Sequence, residues 1–406
     1  MRKLVNGWGK ETQKIPPLLK QKPSSAKTLL HLLITLSYNI HNKEYTMRRL
    51  IHPVTITLLV ITVIFLLPTI LPNKEIKTFT DNELRDRAIS TNMLPTPTTY
   101  QNLLKVVDNP QNPMTPQKIA LGKELYNEKL LSKDRDIACA SCHLLDQGGD
   151  DNLPTAIGHQ GRANPFHINS PTVLNASLAK AQFWNGSAKD VEEQAGGPIQ
   201  APFEMNMKPD EVVTRLSDSP DYVKKFQEVF NSPISFENVR KAIGAYERTL
   251  LTHGDYDRFL EGDNSAISPK AKRGMTLFLT KGCKGCHASM SVGGQTIQHF
   301  PLRNYLSDYI GMIFEPNIKL KESPFPFANE GGFLGQDDRL KFRVPILRNI
   351  AKTAPYFHNG AVKELKEVVR IMSKYQLGNE FSPKQIDEVV AFLETLSGDL
   401  VKYKIE

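Results

Sequence analysis

The 406 residues contain four cysteines, and all four fall in two Cys-x-x-Cys-His motifs, Cys139-Ala-Ser-Cys142-His143 and Cys283-Lys-Gly-Cys286-His287. That spacing suits covalent haem attachment. Two thiols three residues apart add to the two vinyl groups of one porphyrin, and the adjoining imidazole reaches the iron as proximal ligand. A zinc site needs four ligands converging on one ion and leaves both histidines unexplained. A thioredoxin-like pair expects a βαβ setting, which this sequence lacks. The motifs therefore predict two c-type haems and, with them, export from the cytoplasm. Two haems with different axial ligands can do different work. A His/Met pair raises the potential and relays electrons, whereas a displaceable sixth ligand leaves room for peroxide.

The elements that must hold these motifs read as helical. Ahead of the first motif runs Gly122-Lys-Glu-Leu125-Tyr126 and ahead of the second Gly274-Met-Thr-Leu277-Phe278, one Gly-x-x-Leu-aromatic pattern used twice. Apolar positions recur at helical spacing over 239–251, 363–372 and 385–396, the last opened by Ser382-Pro383. Strand signals are few, and long Pro/Gly/Asn-rich connections cover 144–172, 196–210 and 289–345. The expected fold is mainly α: two cytochrome c-like haem domains with long connecting loops, preceded by an N-terminal transmembrane or signal segment. The expected divisions are a basic segment 1–53, an apolar run 54–71 and a linker 72–94, then a first haem domain 95–258 and a second 259–390. The C-terminal segment 391–406 is expected to pack back on the first haem domain. The stretch Tyr256 to Pro269 carries the chain-breaking residues of the interdomain boundary.

The net charge of +8 is unevenly placed. Residues 1–77 carry twelve basic and three acidic side chains, and the remaining 329 carry thirty-nine and forty. The body of the protein is thus nearly neutral, which excludes a nucleic-acid-binding face. Val54 to Leu71 form eighteen uncharged residues, the lower end of a bilayer-spanning helix, with Arg48 and Arg49 just before them. An uncleaved inner-membrane anchor is the leading expectation. A cleaved signal, with Met47 as a candidate start, is the alternative, although no small-x-small site follows the apolar run. Residues 1–46 have no interpretable pattern.

From about residue 95 onward the chain resembles the bacterial di-haem cytochrome c peroxidases, with the methylamine-utilisation maturation branch as a more distant relative. The resemblance rests on CASCH at 139–143, NSPTVLNA at 169–176, FWNG at 183–186, GPIQAPFEMNM at 197–207, GCKGCH at 282–287 and FRVPILRNIAKTAPYFHNG at 342–360. It implies a periplasmic enzyme that reduces hydrogen peroxide to water with electrons from a small redox protein, such as a c-type cytochrome or cupredoxin. By resemblance His143 is proximal at a low-potential, peroxidatic haem, and His159 is its removable distal ligand on the turn-rich loop GGDDNLPTAIGHQG. Glu204 matches the distal carboxylate that moves a proton between the peroxide oxygens, and Gln194 a distal hydrogen-bonding amide. Trp184 matches the residue between the haems. His287 and Met372 match the axial pair of a high-potential haem, with Tyr375 near enough in sequence to be exchanged for Met372. Asn169, Thr353 and Pro355 match a calcium site between the domains, where oxygen ligands suit Ca²⁺. His358 follows in the same segment and is expected to support that contact. A homodimer is implied by the same resemblance.

Three readings follow: a peroxidase fed at the His287/Met372 haem, a maturation-type oxidase acting on another protein, and a di-haem electron carrier without catalysis. The maturation branch has a Tyr ligand and lacks the displaceable His, so Met372 and His159 speak for the peroxidase. Glu204 and Gln194 speak against a plain carrier, which needs no acid–base pair. His253, in Leu251-Thr252-His253-Gly254, departs from the family pattern and has no account in the sequence.

Overall fold

The computed structural model describes residues 78–302 and 325–405. The basic segment and the apolar run 54–71 lie outside the described residues. Among the described residues no helix is long and apolar enough to cross a membrane. The chain forms helices α1 (Asp81–Ile89), α2 (Tyr100–Val107), α3 (Pro116–Tyr126), α4 (Val191–Gln200), α5 (Pro209–Ser217), α6 (Pro220–Phe230) and α7 (Phe236–Glu247). They are followed by α8 (Asp255–Leu260), α9 (Pro269–Thr280), α10 (Leu365–Ile371) and α11 (Pro383–Thr395). Among the described residues they are joined by two antiparallel strand pairs, β1 (Thr252–Gly254) with β4 (Gly398–Leu400), and β2 (Ile297–His299) with β3 (Lys341–Arg343). Helix starts are written in the sequence. Thr115, Ser268 and Ser382 each cap a helix whose first residue is proline, accepting from the backbone N–H three residues on.

Each haem motif is preceded by a helix crossed closely by a later one, α3 by α7 and α9 by α11. The shared glycine of the repeat makes both crossings. A Cβ on Gly122 would collide with the Ala242 carbonyl, and one on Gly274 with the Glu388 carbonyl. The first half buries Leu121, Leu125, Ile199, Phe226 and Val239, and the second Tyr256, Met275, Phe278, Phe392 and Leu393. Each such side chain contributes roughly 1.5–3 kcal/mol of burial.

Three expected boundaries move. The stretch read as linker contains α1, whose Leu84 and Ala88, with Met93, pack into the second half's core. The division at 258/259 cuts α8, whose Tyr256, Phe259 and Leu260 belong to that same core. The division at 390 cuts α11, which runs to Thr395 because Phe392 and Leu393 are still inside. Beyond it, Leu400, Tyr403 and Ile405 lie against the first half's Leu103, Val107, Tyr126 and Tyr246, and the Tyr403 hydroxyl donates to the Pro97 carbonyl at 2.8 Å. His253 sits on β1 with its imidazole between the Thr96 carbonyl, 3.4 Å away, and Glu261 Oε2, 3.4 Å away.

A second internal repeat joins the halves. Segments 169–186 and 343–360 share Pro171/Pro345, Asn175/Asn349, Phe183/Phe357, Asn185/Asn359 and Gly186/Gly360 at constant spacing. Asn175 and Asn349 both take the left-handed conformation (φ 61° and 62°), which asparagine tolerates, and each opens a short 3₁₀ turn. Their side-chain amides both donate to Thr252 Oγ1, at 3.0 Å each. Across the joint, the Asn169 N–H donates to the His358 carbonyl and the Arg343 N–H to the Trp184 carbonyl, both at 2.8 Å. These are equivalent bonds in the two copies.

Thr252 Oγ1 thus has both lone pairs engaged in a dry place. Thr252→Val, equal in shape, leaves two buried amide donors unpaired and is expected to destabilise by about 1–3 kcal/mol for each. Thr252→Ser is expected to recover most of that. Denaturant midpoints of the haem-loaded variants measure it.

Candidate functional site

Each Cys-x-x-Cys-His motif opens on its own cavity. Cys139, Cys142 and His143 line one of about 400 Å³, and Cys283, Cys286 and His287 line another of about 210 Å³. Each cysteine pair sits on a helical turn, Cys139–Cys142 and Cys283–Gly285, where residues three apart share a face. Both sulfurs of a pair therefore reach the same cavity. Burial pushes the Cys139, Cys142 and Cys283 thiols up to about 12, which disfavours thiolate chemistry. Among the described residues no cluster of three or more His, Cys, Asp or Glu is placed to hold a bare metal ion.

The imidazoles suit iron. His143 Nδ1 lies 3.2 Å from the Gly149 carbonyl oxygen, which can only accept, so Nδ1 carries the proton and Nε2 keeps its lone pair. Burial lowers the pKa of His143 and keeps it neutral. Burial also pushes His287 down to about 4, with the backbone of Val292 and Pro345 pulling the other way. His287 Nδ1 has no hydrogen bond of good geometry, although that backbone lies close. The repeat's aromatic residue serves the proximal histidine in both halves. The Tyr126 hydroxyl donates to the His143 carbonyl at 2.9 Å, and the Phe278 ring lies 6.3 Å from that of His287. Thiol pairs, neutral imidazoles and adjoining cavities together fit two covalently held haems.

The larger cavity has an acid–base lining. α4 carries Gln194 to its wall, and the turn after α4 brings Glu204 to it. Burial pushes the Glu204 carboxyl up to about 7. A second carboxyl, Glu247 at the end of α7, lines the same cavity and is pushed up to about 8 by burial and by Glu192. His159 does not line it. Its side chain is buried with Nδ1 3.2 Å from Asp134 Oδ2, and its backbone N–H donates to the Glu204 carbonyl at 2.7 Å. Gly158 allows this close approach, since a Cβ there would collide with the Phe203 carbonyl.

The smaller cavity is lined by Met372, which starts a π-helical turn directly after α10. Such turns often mark functional positions. Tyr375, three residues on, is not part of that lining. Asn169, Thr353 and Pro355 line this cavity together with Asp150, whose carboxyl is pushed up to about 7 by burial and by Asp151. The Asn169 amide nitrogen donates to the Leu153 carbonyl at 2.7 Å, which leaves its oxygen available to a cation.

One wall is common to both cavities, formed by Trp184, Asn169, Pro171 and Arg343 among others. The Trp184 ring N–H donates to the Asn169 carbonyl at 2.9 Å, and its ring meets His358 edge-on at 6.5 Å between centroids. His358 is buried in a phenylalanine cluster and hydrogen-bonds through Nε2 to Asn329 Oδ1 at 2.7 Å. In the repeat, Trp184 and His358 are counterparts, as are Asn169 and Arg343. Sequence reasoning missed Arg343, Glu247, Asp150 and Thr252. The constant spacing of the two repeated segments is the signal that singles out Arg343.

Comparison with known proteins agrees with this geometry. The family described as di-haem cytochrome c peroxidase matches residues 116–265, and the cytochrome c family matches 271–397. The chain is 41% identical over 293 residues to a cytochrome c551 peroxidase of Pseudomonas aeruginosa, covering 70% of this chain and 80% of that protein. It is 38% identical to a cytochrome c peroxidase of Escherichia coli, covering 72% of this chain and 60% of that one. It is 34% identical to a methylamine utilisation protein of Methylorubrum extorquens, covering 71% of this chain and 80% of that one. Among solved structures, a MauG-like protein associated with microbial copper homeostasis matches with a TM-score of 0.60 at 26% identity, over 73% of this chain and 94% of that one.

The raised Glu204 pKa carries a stability signature. The unfolded carboxyl ionises near 4.5 and the folded one near 7, so its contribution is fully present below 4.5 and is lost as pH rises to 7. Glu204→Gln, which cannot ionise, is expected to be progressively more stable than the parent across that window and by a constant margin above it. Denaturant midpoints of both proteins between pH 4 and about 8 test the sign.

Proposed function

The chain belongs to the di-haem cytochrome c peroxidase family and is a cytochrome-c peroxidase, and we propose how the work divides between its two sites. Hydrogen peroxide, two electrons and two protons become two waters at the His143 site, and electrons from a small redox protein enter at the His287/Met372 site. The haems, when bound, supply one-electron storage and, where a sixth position is open, a place for peroxide.

The residues supply the rest. Glu204, kept largely protonatable near neutral pH by burial, takes the proton from the near peroxide oxygen and returns it to the far one. Gln194 donates a hydrogen bond that orients the substrate. Trp184, in the wall common to both cavities, is the bridge for electron passage. By the family resemblance His159 would serve as the removable sixth ligand of the haem held by His143. Its Nδ1 lies 3.2 Å from Asp134 Oδ2, and its backbone N–H donates to the Glu204 carbonyl, which ties the His159 loop to the turn that carries the acid. Asn169 and the carbonyls of Thr353 and Pro355 are proposed to hold Ca²⁺ beside the shared wall. A periplasmic location accompanies this reading, with tethering to the inner membrane assigned to the apolar run 54–71 and homodimer formation carried over from the family resemblance.

The observation that carries the reading is the unequal lining of the two cavities: Glu204 and Gln194 line the one that holds His143, the Met372 thioether lines the one that holds His287, and one indole is in both walls. A plain carrier has no use for the first pair. Glu204→Gln is expected to lower peroxide-dependent oxidation of a reduced small cytochrome c by roughly 10²- to 10⁴-fold, with both haems still attached and visible spectra intact. Turnover at the parent rate from a fully haemylated variant would remove Glu204 from the mechanism.

A further inference from the structure

Three arginine side chains of the described residues are almost wholly buried: Arg248 at 4% exposure, Arg343 at 5% and Arg348 at 1%. Two have carboxylates. Arg348 forks onto Asp257 at 2.8 and 2.9 Å, and Arg248 pairs with Glu192. Arg343 has none among the described residues. Its Nε donates to the Phe183 carbonyl at 3.0 Å, and its Nη1 has no partner at all. Burial alone pushes it down to about 10, so it stays charged at neutral pH without an opposing charge. A buried cation left unpaired is strongly unfavourable, so an anion has to be supplied.

The position narrows what that anion is. Arg343 lies in the wall common to both haem cavities, its backbone N–H fixed to the Trp184 carbonyl. The fold does not require a guanidinium here, because the equivalent position of the other repeat is Asn169. A haem brings two carboxylates of its own, and a planar guanidinium matches a carboxylate bidentately. We propose that Arg343 is the anion-binding residue of the shared wall and that its partner is a propionate of a haem seated in one of these two cavities. The inference rests on haem binding alone and not on the division of labour between the sites. Pairing the propionate offsets its negative charge and so favours the reduced iron.

The test is a reductive titration of haem-loaded parent, R343Q and R343K, each haem followed by its own visible absorbance, with neither peroxide nor donor present. In R343Q one haem is expected to become harder to reduce, by about tenfold in its oxidised-to-reduced ratio, which is ~59 mV for a one-electron couple. R343K, which keeps the charge, is expected to stay near the parent. The haem that moves identifies the cavity. An R343Q protein with two covalent haems and both potentials unmoved overturns the proposal. If R343Q fails to take up two haems, the propionate-bending resonance Raman band of R343K decides. A displaced band supports the contact, and a band identical to the parent overturns it. Peroxide turnover is a separate assay, so failure of the catalytic reading leaves this result interpretable.

Discussion

The structure depends on one buried hydroxyl. Thr252 Oγ1 accepts from Asn175 and Asn349, the equivalent residues of two repeated segments, and so ties both halves to one strand of the β1–β4 pair. Around that point the two copies exchange equivalent backbone bonds, Asn169 to His358 and Arg343 to Trp184. These bonds set Trp184 where it faces both cavities. A loop of this length elsewhere on a protein surface would leave such polar groups to water; here the two asparagine amides are answered by Thr252, and the Asn169 and Arg343 backbone N–H groups by the other copy. The contact between the sites is therefore a product of internal pairing more than of either half's own core.

The cavities themselves are less symmetric than their joint. Both halves use a glycine-crossed helix pair, an aromatic residue on the proximal histidine and a helical turn carrying two thiols. They differ in the other residues that line the cavity. One lining holds Glu204, Gln194 and Glu247, the other the Met372 thioether and Asp150 among many apolar side chains. The two halves share this frame and differ in a few lining residues, and the proposed division into proton handling and relay rests on those differences. The repeat's Trp184/His358 and Asn169/Arg343 pairs carry the same lesson into the wall between them.

Much of this was legible in the sequence and some was not, for physical reasons. The haem motifs were readable because two thiols and an imidazole at fixed spacing admit little else, and the helix starts because Ser/Thr-Pro pairs cap locally. The resemblance pointed to Glu204, Gln194, Trp184 and Met372, and these do line the cavities. Helix α1 lies inside the stretch read as linker, and α8 and the end of α11 run across the expected segment divisions. There the decisive contacts are between residues far apart in the chain, such as Leu84 and Ala88 in the same core as Phe278 and Phe392. Arg343 was invisible because an arginine in a loop reads as a solvated charge until its burial and its missing carboxylate are seen. His159 was readable as a histidine on a turn-rich loop, but its contact with Asp134 depends on tertiary placement.

The central claim is that the two sites act as one two-electron unit through the wall they share. The most direct measurement is rapid mixing of fully reduced, haem-loaded protein with a single equivalent of hydrogen peroxide while both haem absorbances are followed. The account predicts that both haems are oxidised in the same event, one electron from each. Oxidation confined to the His143 haem, with the His287 haem left reduced, would contradict it.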